Sequence, residues 1–250
     1  MSPDLADPGF VERFRNEGRM QAALDHPNVV TVYEAGTSAE GPYLAMKLVR
    51  GTTLTRLIDD GVLDAPRTLH IAGQVAEALD AAHALGIVHR DVKPRNVLVE
   101  DDDHAYLADF GLTRQGDATG LTATGSFMGT LSYAAPEVLR GAAAGPAAER
   151  YAFAAMLFEC LTGTPVFPRS SQAALVYAHT NEPPPRVSGR REDAPPALDE
   201  ALIAGLAKNP ADRPATCLAL VERARAALAG HELGPPPRRA APPAAATTTR

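Results

Sequence analysis

The residues of this sequence best suited to chemistry lie in one short stretch, His89-Arg90-Asp91-Val92-Lys93-Pro94-Arg95-Asn96. Asp91 can accept a proton from a hydroxyl group, Lys93 supplies a compact positive charge, and the side-chain amide of Asn96 can offer an oxygen to Mg²⁺. Phosphoryl transfer needs mainly positioning, a divalent cation and neutralisation of charge, and these three side chains could contribute to all of them. Taken alone, the stretch would also suit a polar turn between a helix and a strand.

Two further motifs follow along the chain. Asp109-Phe110-Gly111 comes thirteen residues after Asn96 and directly after an apolar run at 105–108, so a strand there would present a second carboxylate for Mg²⁺ beside flexible backbone. Ala135-Pro136-Glu137 stands further on. In this order and with these gaps, the motifs make the chain resemble a bacterial eukaryotic-type Ser/Thr protein kinase, of the kind found in actinobacteria, over about residues 10–228.

This resemblance implies an activity and its cofactors. The activity is transfer of the γ-phosphoryl group of ATP to Ser and Thr hydroxyls of proteins, and the cofactors are ATP and Mg²⁺. Asp91 would be the catalytic base and Lys93 would face the transferred phosphate, while Asn96 and Asp109 would hold Mg²⁺. Lys93 favours Ser/Thr specificity, because tyrosine kinases usually carry an Arg/Ala pattern in this loop.

The resemblance also implies how ATP would be held at its adenine end. Met46 would guard the back of the pocket, at the end of a strand that leads into the hinge between two lobes. The backbone of Lys47 and Val49 would meet the adenine edge, and Leu98 would lie beneath the ring.

Regulation is implied for the segment from Gly111 to Tyr133, which resembles an activation segment because it is rich in Gly, Thr and Ser. A phosphate on one of its threonines adds nearly two negative charges, which Arg90 could bind. Thr130 matches the threonine that bridges Asp91 and Lys93 in the family. The candidate phosphorylation sites are Thr119, Thr122 and Thr124.

Four further positions match structural residues of the family. His89 would pack under Phe110 as a core residue. Glu137 would form a buried ion pair with the arginine of Asp212-Arg213-Pro214. Glu149 stands where the family normally has an Asp that holds the backbone of the catalytic loop, and its extra methylene would shift the carboxylate by more than about an ångström. Glu17 falls where a regulatory helix carries the Glu that pairs with a strand lysine.

The elements that must position these side chains can be predicted from periodicity and capping residues. We expect a helix around residues 10–24, an antiparallel strand pair at 29–35 and 43–49 around a turn at Gly36–Gly41, and a long helix from Asp64 to Leu85. Further helices are expected at 147–161, 172–179, 197–207 and 215–228. The fold class is therefore α+β, a protein-kinase-like bilobal fold with a truncated small lobe (1–49), a complete, mostly helical large lobe (50–230) and a disordered Pro/Ala/Thr tail (231–250).

The sequence lacks the glycine-rich loop of a kinase small lobe. It also lacks the strand lysine of that lobe, since its only lysines are Lys47, Lys93 and Lys208. Three interpretations stay open: a kinase whose recorded start is too late, a truncated inactive kinase, or a non-catalytic binding module built on the large lobe. A small-molecule phosphotransferase of the aminoglycoside type is disfavoured, because it would not be expected to carry Ala-Pro-Glu after a Ser/Thr-rich segment. Without the loop and the strand lysine, the 250-residue chain is expected to bind Mg-ATP weakly or not at all.

Bulk composition excludes some classes of partner. A net charge of −6 gives no basic surface for nucleic acid.

Cys160 and Cys217 lie within apolar helical runs and indicate buried thiols of a reducing compartment. No run of about 18 apolar residues indicates a membrane span, and a cytoplasmic location is expected. An incompletely covered small lobe would favour self-association.

Overall fold

The computed structural model describes residues 24–38, 41–110 and 126–230, apart from the side chains of 42 and 126–128. Its first element pair is an antiparallel hairpin of β1 (Val32–Ser38) and β2 (Gly41–Met46). The first strand was predicted too early in the chain and the second too late. The antiparallel pairing is as predicted, but the predicted turn at Gly36–Gly41 was too wide, because Gly36 is paired with Tyr43 inside the hairpin. The Tyr43 ring covers Gly36 so closely that a Cβ there would lie 2.5 Å from it.

Val29 and Val30 belong to a different part of the molecule from the one predicted. Val29 forms a parallel bridge with Leu107, and the Val30 amide donates to the Leu107 carbonyl at 3.0 Å. Both side chains are buried, at 2% and 1% exposure. A β-branched pair is typical of a strand in either setting, so only the long-range partner decides which sheet it joins.

The second sheet is antiparallel and has the order β3 (Gly51–Thr53), β4 (Val97–Glu100) and β5 (Ala105–Leu107). Leu98 is the partner of Thr53 on one side and of Tyr106 on the other. Gly51 is required by close approach, because a Cβ there would lie 2.1 Å from the Val99 carbonyl oxygen. The stretch at 89–96 leads into this sheet and enters β4 through a 3₁₀ turn at Pro94–Asn96.

The long helix α2 (Ala65–Ala84) leads the chain to that stretch. Asp64 caps its first turn by accepting from the Arg67 amide at 2.8 Å, and Gly86 reverses the chain beyond its end with φ of 73°. The predicted bounds differ by one residue at each end. A short helix α1 (Leu54–Asp60), capped by Thr53, precedes it and was not predicted.

The remaining helices form the body of the large lobe around α5 (Pro146–Thr162), which is buried almost all round. The helices predicted from sequence in this part of the chain agree with the observed ones to within two residues at each end. Two short helices, α3 (Ser126–Leu131) and α4 (Pro136–Leu139), were not predicted, and α3 lies within the segment that resembles an activation segment. The other helices around α5 are α6 (Gln172–Asn181), α7 (Pro196–Gly205) and α8 (Cys217–Leu228).

One large core unites these helices with the second sheet, and a small satellite cluster lies beside it. Cys160 and Cys217 are buried and unpaired, and burial raises the pKa of both thiols well above the usual value. Among the described helices, none is both long enough and apolar enough to cross a membrane.

Candidate active site

The carboxylate of Asp91 lies at the centre of a small polar cluster. Lys93 Nζ donates to Asp91 Oδ2 at 2.6 Å and to Thr130 Oγ1 at 3.3 Å, and Thr130 Oγ1 lies 3.4 Å from Asp91 Oδ1. The loop supplies the first two side chains and α3 supplies the third. The Asp91 and Lys93 side chains are 22% and 18% exposed, so the cluster is sheltered yet open to a substrate.

Asn96 is turned toward Asp91 as well. Its Nδ2 donates to the Asp91 carbonyl at 2.8 Å and to Asp91 Oδ2 at 3.1 Å, which leaves its side-chain carbonyl oxygen as the atom able to bind a cation. The backbone carbonyl of Asn96 accepts from the Ala108 amide at 2.8 Å, so the residue before Asp109 is fixed beside it. Asp109 is exposed and has φ of 59°.

These two residues suit Mg²⁺ by their chemistry. An amide oxygen and a carboxylate are hard oxygen donors, and Mg²⁺ usually takes only one or two protein ligands plus phosphate oxygens and water. Within the described ranges, no group of three or more His, Cys, Asp or Glu side chains forms a metal site of its own. The pair therefore fits a cation shared with a nucleotide.

His89 is fully buried beside Phe110. Its Nδ1 lies 3.2 Å from the Asp91 amide and its Nε2 lies 2.8 Å from the Ala108 carbonyl, so the neutral ring with the proton on Nε2 satisfies both. Its ring centroid is 4.5 Å from that of Phe110. Complete burial lowers the pKa of His89, which keeps it neutral and unsuited to act as a base on substrate.

Arg90 has a backbone conformation that its neighbours must hold, since its φ of 68° lies in the left-handed region. Its amide donates to Glu149 Oε1, and the other oxygen of this buried carboxylate lies 2.7 Å from Nε2 of His83 on α2. Glu149 therefore reaches the loop despite its extra methylene. The contact with His83 was missed from sequence, and only the long-range packing of α2 on α5 reveals it.

A second carboxylate extends this link to the end of the large lobe. Asp80, one turn before His83, accepts from the amides of Cys217 and Leu218 at 2.9 Å each, and so caps α8. His83 Nδ1 lies 4.0 Å from Asp80 Oδ1. A run of polar contacts thus connects the start of α8 to the amide beside Asp91.

Glu137 and Arg213 come together across 76 residues of sequence. The guanidinium makes two parallel bonds, Nη1 to Oε1 at 2.6 Å and Nη2 to Oε2 at 2.8 Å. The Arg213 side chain is fully buried and that of Glu137 is 19% exposed. Burial alone would raise the pKa of Glu137, but the hydrogen bonds and charge of Arg213 lower it below the usual value.

The residues assigned to adenine surround a short connection after β2. Met46 ends that strand and is 38% exposed, and the Lys47 amide donates to the Thr31 carbonyl at 2.8 Å. Val49 and Leu98 both pack on the satellite cluster, so the structure brings these two together. Glu17, Gly111, Thr119, Thr122, Thr124 and the tail from 231 lie outside the described residues.

Comparison with known proteins identifies the family. A family model described as "Protein kinase domain" matches residues 4–223. The serine/threonine-protein kinase PknE of Mycobacterium tuberculosis is 42% identical over 231 residues, which cover 92% of this chain and 41% of PknE. PknH of the same species is 41% identical over 227 residues, covering 90% of this chain and 35% of that protein. The chain thus spans about two fifths of the length of these relatives.

Solved structures agree with this assignment. The kinase domain of Mycobacterium tuberculosis PknI, solved as a point mutant, has a TM-score of 0.70 and 32% identity, covering 91% of this chain and 82% of that one. Rad53 1–466 in complex with AMP-PNP has a TM-score of 0.71 and 26% identity, covering 85% and 54%. The α+β protein kinase fold expected from the motifs is confirmed. The chain belongs to the protein kinase family, and within it to the bacterial serine/threonine kinases, which are transferases.

Proposed function

We propose that this chain carries the catalytic site of an enzyme that transfers the γ-phosphoryl group of ATP to Ser and Thr hydroxyls of proteins, with Asp91 as the catalytic base. The observation that carries the proposal is the placement of the Asp91 carboxylate between Lys93, Thr130 and Asn96. Because the transition state is loose, such an enzyme contributes mainly orientation and charge, and this cluster supplies both around one oxygen pair.

The proton of the substrate hydroxyl is accepted by Asp91. Lys93, bonded to the same carboxylate, provides the positive charge that faces the transferred group, and Thr130 restrains both side chains near the hydroxyl. Asn96 donates to the backbone and side chain of Asp91, so it fixes the base as well as offering an oxygen to the cation.

ATP and Mg²⁺ are proposed as cofactors. Bound Mg²⁺ neutralises phosphate charge, and the Asn96 side-chain oxygen with the Asp109 carboxylate would hold it. The backbone of Lys47 and Val49 would receive the adenine edge behind Met46, over Leu98. The AMP-PNP complex of Rad53, a protein of the same fold, supports a nucleotide in this family of sites.

The proposed partners are ATP and proteins with accessible Ser or Thr residues. Phosphorylation of Thr119, Thr122 or Thr124 with capture by Arg90 stays a prediction, as does the pairing of Glu17 with a lysine. Self-association also stays a prediction. It is supported by two exposed apolar side chains around the hairpin, Tyr33 at 69% and Leu48 at 79% exposure.

A fusion protein tests the site of this chain directly. The glycine-rich loop and strand lysine typical of the family, taken from a mycobacterial relative, are joined ahead of Met1, and incorporation of phosphate into a generic Ser/Thr substrate is measured. We expect transfer by the fusion, and a loss of about 100-fold or more with Asp91→Asn, which keeps the shape of the base but not its proton affinity. Asp101→Asn, in the exposed turn after β4, is the matched control and should have no effect.

The outcome that would overturn the proposal is a fusion that folds and binds ATP but transfers no phosphate. Retention of more than about a tenth of the wild-type rate by Asp91→Asn would instead remove Asp91 from its assigned role.

A further inference from the structure

The side chain of Lys47 bends back onto the second sheet. Its Nζ donates to the hydroxyl of Tyr106 at 2.7 Å and lies 4.2 Å from the centre of the Tyr106 ring. The same hydroxyl donates to Glu100 Oε2 at 3.1 Å. The hydrogen bond to Tyr106 raises the pKa of Lys47 above its usual value, so the group stays a charged donor.

Tyr106 lies where the hinge meets the sheet. It is the cross-strand partner of Leu98, is only 7% exposed, and forms the satellite cluster with Val30 and Ala108. Val49 and Leu98 are the partly buried residues that pack on this cluster. One tyrosine ring therefore supports the two apolar side chains placed nearest to the adenine, and its hydroxyl binds the side chain of Lys47, whose backbone would meet the adenine edge.

The connection from Lys47 to Arg50 needs such support, because it lies outside the regular strands. Two side chains next to Lys47 in sequence, Leu48 and Met46, are 79% and 38% exposed. The backbone contact of Lys47 with Thr31 ties the connection to the start of the hairpin. Its tie to the large lobe runs through side chains, namely Lys47 to Tyr106 and Val49 to the cluster.

We propose that Tyr106, together with Lys47 and Glu100, positions the hinge backbone for adenine, so that these three act as positioning residues for the nucleotide. Lys47 and Tyr106 share a charge-assisted hydrogen bond and a cation–π contact, both of which orient the peptide that carries the proposed adenine contacts. Glu100 holds the tyrosine hydroxyl from β4, the strand that also carries Leu98. This inference rests on the proposed function, since it names what aligns the adenine end of that site.

The test uses the 250-residue chain and two readouts. Tyr106→Phe removes the hydroxyl and keeps the ring, and Lys47→Met removes the donor and keeps an apolar stem. Tyr177→Phe, at an exposed position on α6, is the matched control. Hydrogen–deuterium exchange reports the amides of residues 46–50, and titration with adenosine, followed by NMR, reports the adenine site without any contribution from phosphates.

We expect exchange in 46–50 to become about 3- to 10-fold faster in Tyr106→Phe and in Lys47→Met, with adenosine affinity weakened by a similar factor, as the loss of one charge-assisted hydrogen bond predicts. The double variant should show no loss beyond that of Lys47→Met, because Lys47→Met already removes both the hydrogen bond and the cation–π contact with Tyr106. Exchange in the β1–β2 hairpin and all properties of Tyr177→Phe should stay as in the wild type.

Failure of the inference and failure of the proposed function have different signatures. A wild-type chain that binds adenosine while both variants match it overturns the positioning role. Faster exchange with unchanged affinity does so too, because the contact would then hold the hinge without serving the nucleotide. A wild-type chain with no adenosine binding overturns the proposed adenine site itself, whereas the exchange rates still decide whether Tyr106 holds the hinge.

Discussion

Replacement of Arg213 by Ala should lower the free energy of unfolding more than replacement of an exposed arginine does. The size of the effect can be worked out from the contacts of Arg213. The guanidinium makes two bonds to Glu137 and further bonds to three backbone carbonyls: Nη1 to Ala147 at 2.7 Å, Nε to Ala207 at 2.9 Å and Nη2 to Lys208 at 3.3 Å. Its loss leaves a partly buried carboxylate without a cation. Removing one partner of such a pair costs about 3–5 kcal/mol, and the carbonyls left unpaired place the expected value in the upper half of that range.

Two other arginines provide graded controls. Arg225, on the exposed side of α8, donates a single bond to the Leu69 carbonyl at 3.0 Å, so Arg225→Ala should cost about 1 kcal/mol. Arg56 is 69% exposed and paired with Asp60 one turn away, so Arg56→Ala should cost about 0.5 kcal/mol or less. Arg213→Lys should recover little, because an ammonium cannot reproduce the bidentate geometry.

Urea denaturation followed by far-UV circular dichroism measures the effect, since the chain has no tryptophan. The double variant Arg213→Ala/Glu137→Ala should be less destabilised than the sum of the two single variants, because it also removes the orphaned charge. Equal midpoints for Arg213→Ala and Arg56→Ala would refute the reasoning.

The pH dependence of the same difference is a second check. The folded-state pKa of Glu137 is lowered, so its contribution to stability is fully present above the ordinary carboxyl value of 4.5 and is lost as pH falls through the folded-state value. The gap between wild type and Arg213→Ala should therefore shrink in acid. A gap that stays constant from pH 7 to pH 3 would mean that Glu137 is not the partner that matters.

Three further predictions concern activity and acid stability. In the fusion described above, Glu149→Ala should lower kcat by about 10-fold or more while changing the affinity for ATP by less than about 3-fold, because it frees the backbone before Asp91 without touching the nucleotide; equal losses in both would contradict this. The 250-residue chain without the fusion should show no phosphate incorporation above its own Asp91→Asn variant, since its sequence holds neither the glycine-rich loop nor the strand lysine that bind the ATP phosphates in the family, and label on its threonines would overturn that expectation. Burial lowers the pKa of His179 from 6.5 to about 4, so stability should fall by up to about 3 kcal/mol as pH drops from 7 to 4; His179→Gln should flatten this dependence, whereas His70→Gln, at an exposed position, should leave it unchanged.

Local sequence signals were sufficient for the parts of this fold whose stability is local or whose apolar pattern is long. Asp64 and Gly86 bracket α2 as capping residues, and the continuous apolar run of α5 reveals a central buried helix. The three motifs also indicated which residues along the chain form the candidate site. The caps are short-range interactions and a long periodic stretch averages out single exceptions, so both can be recognised from sequence.

The parts that were missed depend on partners far away in sequence. β3 has only three residues and exists because Gly51 can approach β4 closely. The position of Val29 and Val30 is decided by Leu107, and the roles of His83 and Tyr106 by side chains reached through tertiary packing. No periodicity or motif carries that information, because the two residues of each contact are far apart in sequence and neither residue type identifies its partner.

Backbone strain gives independent support for where the site lies. Three non-glycine residues with left-handed φ occur among the described residues: Arg90, Asp103 and Asp109. Asp103 sits in the tight turn between β4 and β5, where its side chain binds Arg67 at 2.7 Å, so its conformation is explained by the turn. Arg90 and Asp109 lie outside such turns.

These two positions are instead held by buried contacts on their neighbours. The Arg90 amide is bound by Glu149, the next amide by His89, and the residue before Asp109 by the Asn96 carbonyl. A left-handed conformation costs such a residue roughly 1–2 kcal/mol and persists only where surrounding contacts exceed that value. Here the contacts surround Arg90, which precedes the proposed base Asp91, and Asp109, which is itself the proposed metal ligand. Loosening them should therefore impair transfer more than it lowers stability, which is the pattern expected of Glu149→Ala.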